Sequence, residues 1–186
     1  MSLLTHLSSI ISVSKQLEAE INSVSKTIEI AKGENLLKIN GQCHYLYFIE
    51  SGLIRGYYFD EDKEITNWFA QEGEFATCFY SFISKQPSFE NIQSIEDVVY
   101  TQVSYTDLQK IYNRFPETER MGRMITEQYY IKLEERLLSI RFKTAKERYE
   151  NLLENKPKLL LRASLGQIAS YLGITQETLS RIRAEG

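Results

Sequence analysis

The stretch LGQIASYLGITQETLSRIR, Leu165–Arg183, constrains this chain more than any other, because it supplies each residue that two crossing helices joined by a tight turn require. Ile168 and Leu172 lie four apart and share one face of a first helix. Ala169 beside them is small enough for a second helix to cross closely. Gly173 falls where the chain must turn, and a residue without Cβ reaches positive φ there with little strain. Ile174 can plug the corner. Thr175 is a good N-cap for the second helix, whose inner face holds Leu179 and Ile182. Ser164 and Gln167 have the spacing of a capping box at the start of the first. The second helix keeps Gln176, Glu177, Thr178, Ser180 and Arg181 for its outer face. These are donors and acceptors suited to base edges and phosphates in a major groove. A packed helical hairpin would satisfy part of the pattern, without needing Ala169, Gly173, Ile174 and a capped, polar-faced second helix together. We read a helix-turn-helix.

A net charge of −3 opposes a nucleic-acid partner until it is resolved along the chain. From Arg141 onward nine basic residues meet five acidic ones, a local +4 that leaves −7 for the preceding part. An acidic body with a basic end is expected when only the end approaches phosphate. Because +4 is modest, tight binding calls for two copies. With 42% hydrophobic and 25% charged residues the composition is that of an ordinary soluble globular protein. No run approaches the roughly 18 apolar residues of a membrane span. The amino end lacks the basic start and small-residue cleavage site of a signal peptide. Two cysteines, Cys43 and Cys78, fit a reducing cytoplasm better than a disulfide scaffold.

The order of patterns predicts an α+β chain in four parts. Residues 1–25 read as one or two short amphipathic helices. Residues 26–112 are dominated by short β-branched and aromatic runs separated by turn signals, including Tyr45–Ile49, Leu53–Phe59, Glu64–Phe69, Phe89–Ser94 and Val98–Ser104. Such spacing indicates a sandwich or jelly-roll-like barrel, and Gly56 within a strand indicates a bulge or a close backbone approach. A short helix follows over Tyr105–Tyr112. Residues 113–140 form a long helix opened by Phe115-Pro116, since proline suits a first helical turn. Met121, Ile125, Tyr129, Leu133 and Leu137 recur along it, broadened by Met124 and Leu138. That surface could cover the core, but we read it as a subunit interface, because it exceeds what a small β domain can cover. Residues 141–186 hold the helix-turn-helix, preceded by a helix with Thr144 and Glu147 as capping box and Ala145, Tyr149, Leu152 and Leu153 inside.

A glycine-punctuated β-roll, a long helix and a terminal helix-turn-helix together resemble the Crp/Fnr superfamily of bacterial transcription regulators, over nearly the whole chain. The most specific pieces are LYFIESGLIRGYYFDEDKEITNWFAQEGEF at Leu46–Phe75, with its Ser51-Gly52 turn, and Leu165–Arg183. The resemblance implies a cyclic-nucleotide-binding-like roll as sensor, a dimerising long helix and a winged-helix-like DNA-binding domain. It further implies a homodimer on a pseudo-palindromic site with half-sites roughly 34 Å apart, and RNA polymerase as a further candidate partner. The family's base-reading positions fall on Gln176, Glu177 and Arg181. Arg181 suits guanine and Glu177 the cytosine amine, while Gln176 departs from the arginine often found there and suits adenine. Thr175 and Thr178 are better placed for phosphate. Alternatively, Glu177 serves the helix dipole and Arg181 is a solvated charge. The sequence ends at Gly186, where many members continue into a wing or further helix; if that end is natural, phosphate contacts are expected from Lys143, Lys146, Arg162 or nearby backbone, and if it is not, DNA binding would be weakened with the role unchanged. That ending also leaves open an adaptor acting through protein contacts with weak or no DNA binding.

Cyclic-nucleotide members carry a Gly-Glu-Leu turn followed by Arg-Ser or Arg-Thr, whose glutamate holds the ribose and whose arginine pairs with the cyclic phosphate. Ungapped alignment puts Thr77, Cys78 and Phe79 on the first and Ser88-Phe89 on the second. A phosphate buried there would lack its cation, so cyclic AMP is not the expected effector, and the effector is unknown. An iron–sulfur cluster needs about four cysteines. His6 and His44 could in principle ligate haem but have no supporting motif, and Cys43-His44 adjacent in a strand would point to opposite faces. No metal site is predicted. Phe75, Phe79, Tyr80, Phe82 and Tyr129 are the candidate effector pocket, with core packing the simpler account of the same residues. A cupin-like metalloenzyme would need two or three converging histidines, and nucleophile-elbow, P-loop and dinucleotide signatures are absent. No catalytic residues are assigned.

Overall fold

The β-branched and aromatic runs between Lys26 and Ser104 all pair antiparallel in the computed structural model, which describes residues 1–185. The strands are β1 (Lys26–Ile30), β2 (Asn35–Leu37), β3 (Tyr45–Ser51), β4 (Ile54–Asp60), β5 (Lys63–Ala70), β6 (Phe75–Ala76), β7 (Asn91–Ser94) and β8 (Val98–Ser104). They form two four-stranded sheets, β1-β8-β3-β6 and β2-β7-β4-β5, closed face to face over Ile49, Ile54, Ile92 and Val98. Gly56 meets both expectations. The β4–β5 register shifts between Gly56 and Tyr57, and a Cβ on Gly56 would lie 2.1 Å from the Trp68 ring.

Two features of the roll differ from the sequence reading. A short helix, α3 (Phe79–Ser84), intervenes before β7, so the strand expected from Phe89 starts only at Asn91. Ser88 causes the delay, because its hydroxyl donates to the Glu90 carbonyl and accepts from the Glu90 N–H, turning the chain locally. Cys43 and His44 precede β3 rather than lying in it, although Cys43 is buried and His44 exposed.

Helices α1 (Leu3–Ser8) and α2 (Lys15–Val24) bury Leu3, Leu7, Leu17 and Ile21 beside Phe48 and Val103 of the roll. Then come α4 (Tyr105–Arg114), α5 (Pro116–Phe142), α6 (Ala145–Asn155), a single-turn α7 (Leu159–Arg162) that the sequence did not announce, α8 (Leu165–Leu172) and α9 (Gln176–Ala184). Side-chain caps at Ser104, Thr144, Ser164 and Thr175 set four of these starts, two of them complete capping boxes. Along α6, Leu152 is buried, but Leu153 is exposed instead of turned inward.

The apolar run of α5 divides. Met121 is buried beside Ile111 and Phe115, with Ile125 packed against them, so these two belong to the core of this chain rather than to a free interface. Leu133 and Leu137 are exposed, and Tyr129 partly so. Met124 and Leu138 do not broaden that stripe. Nine residues separate Met124 from Leu133, about two and a half turns, which puts them on opposite sides of the helix. Met124, Ile131 and Leu138, seven apart and all exposed, make a second stripe.

The contact at Gly56 is testable. Gly56→Ala should destabilise the roll by about 1–3 kcal/mol through forced displacement of Trp68, read as a thermal midpoint lowered by several degrees. An unchanged midpoint would contradict the packing.

Candidate nucleic-acid interface and effector cleft

The turn between α8 and α9 is built by Gly173, at φ +67, whose N–H donates to the Ser170 carbonyl while that of Ile174 reaches back to Ala169. Leu179 and Ile182 are buried against the inner face of α8. Gln176, Glu177, Ser180 and Arg181 are exposed together, and Thr178 is half-buried. Thr175 is engaged as the cap, accepting from the Thr178 N–H at 3.1 Å, with the two hydroxyls 3.0 Å apart. These threonines shape the amino end of α9, leaving the first backbone N–H groups there directed outward. Gln176 lies over Gly166 of α8, its Nε2 2.8 Å from where a Cβ on that glycine would sit. Among the described residues Glu177 and Arg181 carry no ion pair.

The helix-turn-helix is seated on the roll. β5 is the edge of its sheet, and α8 covers that edge. The Thr66 N–H donates to Ser170 Oγ at 2.7 Å, and the Ser170 hydroxyl donates to the Glu64 carbonyl at 3.1 Å. One serine thus satisfies both kinds of backbone group that an open edge exposes. Leu53, Phe69 and Ile95 of the roll continue into the core of Leu152, Leu159, Ile168, Leu172 and Leu179.

Arg162, expected at phosphate, is instead gripped by the roll. Its guanidinium donates to Glu96 at 2.5 and 3.1 Å and to Glu72 at 2.8 and 3.0 Å. Its hydrogen bonds to Glu96 and then to Glu72 raise its already high pKa. Burial pushes the Glu72 carboxyl upward, but Arg162 and the Gly52 N–H outweigh it and leave it below the usual range. Sequence reasoning missed Arg55, which is only 4% exposed. It stacks on Tyr57 and donates to Gln93, Thr66 and Glu64. Alternation with core-facing Ile54 was the available signal, since it puts Arg55 on the other side of β4.

Between β5–β6, α5 and, from the helix-turn-helix domain, Lys156 and Tyr171 lies a cleft of about 470 Å³. Phe75, Phe79 and Tyr129 line it, with the Phe79 and Tyr129 ring centroids 4.2 Å apart. Tyr80 and Phe82 do not. Tyr80 is exposed beside Phe89, and Phe82 is buried in the roll core against Tyr105, because residues two apart on a helix lie about 200° apart around its axis. Of the cassette positions, Thr77 and Phe79 line the cleft, whereas Cys78 and Ser88 are buried against each other. Ser88 donates to Cys78 Sγ at 3.3 Å, and Glu90 beside them is 3% exposed, accepting from Trp68 and Asn67. Burial raises the Glu90 carboxyl pKa against those bonds. His6 packs on Phe48 and Phe75, and burial lowers its pKa. His44 lies beside Tyr45.

The fold thus joins an antiparallel roll through one long helix to a helix-turn-helix. Residues 27–115 match the cyclic nucleotide-binding domain family. The fumarate and nitrate reduction regulatory protein of Vibrio cholerae is 28% identical, over 89% of this chain and 72% of its own length. Among solved structures, FixK2 from Bradyrhizobium japonicum is 24% identical with a TM-score of 0.75, covering 87% of this chain and 84% of that one. A CooA mutant from Carboxydothermus hydrogenoformans is 21% identical with a TM-score of 0.74, covering 99% and 84%. By these likenesses the chain is similar to DNA-binding transcription regulators of the Crp/Fnr type.

The Arg162 fork gives two predictions. Arg162→Gln should leave Glu72 and Glu96 unpaired and weaken the seat by about 1.5–3 kcal/mol, read as faster amide exchange in Leu165–Leu172. Unchanged exchange there would refute the clamp. A lowered folded-state pKa means that Glu72 stabilises above the ordinary value of 4.5 and loses that contribution as pH falls through the lowered one. The gap in thermal midpoint between wild type and Glu72→Gln should therefore be widest near neutrality and close below pH 4.5.

Proposed function

We propose that the chain acts in the cytoplasm as a homodimer that reads a pseudo-palindromic DNA site with α9, without responding to cyclic AMP. The carrying observation is the outer face of α9, where Gln176, Glu177, Ser180 and Arg181 are exposed on a helix whose position is fixed from behind by Leu179 and Ile182. Arg181 is free to make a bidentate contact with guanine, and Glu177 to accept from cytosine. The backbone N–H groups ahead of Thr178 suit a phosphate. RNA polymerase is the protein partner on which a regulator of this class would act.

Two copies are favoured by α5. Leu133 and Leu137 are 50% and 63% exposed on a helix of 27 residues, an apolar surface that this chain leaves uncovered. Tyr129 borders it. Independence from cyclic AMP is supported by the cassette, where a cyclic phosphate would meet the Cys78 thiol, the Ser88 hydroxyl and the buried Glu90 carboxyl in place of a guanidinium.

Sites selected from random DNA should be inverted repeats, bound with an affinity that falls steeply with salt. Arg181→Ala should relax sequence preference at one position in each half-site, with a loss of about 1–3 kcal/mol. Binding indifferent to sequence, or untouched by that substitution, would overturn the base-reading assignment. Leu137→Glu should shift the mass in dilute solution from dimer to monomer, and a monomeric wild type would remove α5 as the interface.

A further inference from the structure

Four of the described glycines sit at positive φ, where an L side chain would be strained, but Gly166 is not among them. It is the second residue of α8, with a backbone that alanine would hold better. Its own conformation therefore gives no reason for a missing side chain. Its surroundings do. A Cβ on Gly166 would lie 2.8 Å from Nε2 of Gln176 and 3.5 Å from its Cδ. At Gly56 and Gly122 a Cβ would strike the rings of Trp68 and Tyr112, which yield only at a cost to packing. The Gln176 carboxamide is instead the far end of a flexible, exposed side chain, so it yields readily, and what changes is where it points. The neighbouring polar side chains, Ser164 and Gln167, are occupied in the capping box, so the bare backbone at Gly166 is what shapes this ledge. Gln176 itself opens α9 directly after the Thr175 cap and is exposed with Glu177, Ser180 and Arg181. A carboxamide distinguishes a base only when its donor and acceptor are aimed together, and an unsupported glutamine loses rotamer entropy in reaching that pose. Resting across the first turn of α8, it is aimed beforehand.

We propose that Gly166, on the helix that does not read bases, is a specificity-determining residue for the DNA site. By leaving the first turn of α8 bare it seats the Gln176 carboxamide, and that seat sets the base preferred at the position Gln176 reaches. Gly166 is a positioning residue that acts through Gln176. The inference rests on base reading by α9 as proposed above and deepens it by one residue of α8. Glu177 and Arg181 do not meet Gly166, so their preferences are independent of it. A small residue that merely let a phosphate come close would affect every sequence alike.

Sites selected from random DNA by the wild type, Gly166→Ala, Gln176→Ala and the double variant test this, with thermal midpoints measured alongside. Gly166→Ala should keep or raise the midpoint, because alanine favours the helix. It should switch the preferred base, or flatten the preference by about fivefold or more, at one position in each half-site, the same one that Gln176→Ala alters. Preferences at the positions of Glu177 and Arg181 should match the wild type. With Gln176 already truncated, adding Gly166→Ala should change nothing further, since both substitutions act through one contact. Identical preferences in wild type and Gly166→Ala, a loss spread evenly over all positions, or an effect that persists in the Gln176→Ala background would each overturn the proposal. So would a midpoint lowered by several degrees, which would make Gly166 a packing residue. A wild type without sequence preference would remove base reading by α9 and this role with it. A wild type that selects inverted repeats, unaltered by Gly166→Ala, would remove only the role of Gly166.

Discussion

The covered edge of β5 is the contact on which the rest of the arrangement depends. A strand at the border of a sheet presents unpaired N–H and C=O groups, and the two between Glu64 and Thr66 are both met by Ser170. That places α8, and α8 in turn fixes α9, because Leu179 packs into the same core as Ile168, Ala169 and Leu172. The direction in which Gln176, Glu177 and Arg181 face is thus inherited from a hydrogen-bonded pair on the roll. The seam is mixed in character, with Leu53, Phe69 and Ile95 at its apolar centre and Arg162, Glu72 and Glu96 as charges at its rim. Such a contact separates with less apolar exposure than the interior of either domain.

The basic excess of the carboxy-terminal segment divides between two tasks. Arg162 and Lys156 point inward to carboxylates of the roll. Arg148 donates to the Lys143 and Ile140 carbonyls at the end of α5, where a cation suits the helix dipole. What faces solvent near α9 is chiefly Arg181 and Arg183. The charge one copy offers to phosphate is therefore smaller than the local total of +4 suggests, which strengthens the case for two copies. The acidity of the roll also gains a specific use, since Glu72, Glu74 and Glu96 seat the neighbouring domain.

Features governed by neighbours along the chain are legible in the sequence alone. Both capping boxes, the left-handed Gly173, the Thr175 cap and the change of period at Ser104–Tyr105 follow from local sterics and hydrogen bonding. Gly56 is readable because a strand interior tolerates a missing side chain only where something else fills the space, here Trp68. Helices α3 and α7 escape because each is too short to show a period. Tyr80 and Phe82 are misplaced in the cleft because hydrophobicity does not reveal which side of a short helix faces inward. The second stripe of α5 merges with the first because spacings of three and four accumulate phase over several turns.

Sequence by itself determined the order of parts, the helix-turn-helix and which side of α9 is polar, because these depend on turns, caps and periodicities that act within a few residues. Tertiary structure alone decided that Arg162 clamps the roll, that Arg55 is buried, that Met121 belongs to the core and that Gln176 rests over Gly166. The reason is that a charge or an apolar side chain acquires its role from what lies across from it. Glu72 and Arg162 are far apart in sequence, and only the fold brings their carboxylate and guanidinium to 2.8 Å.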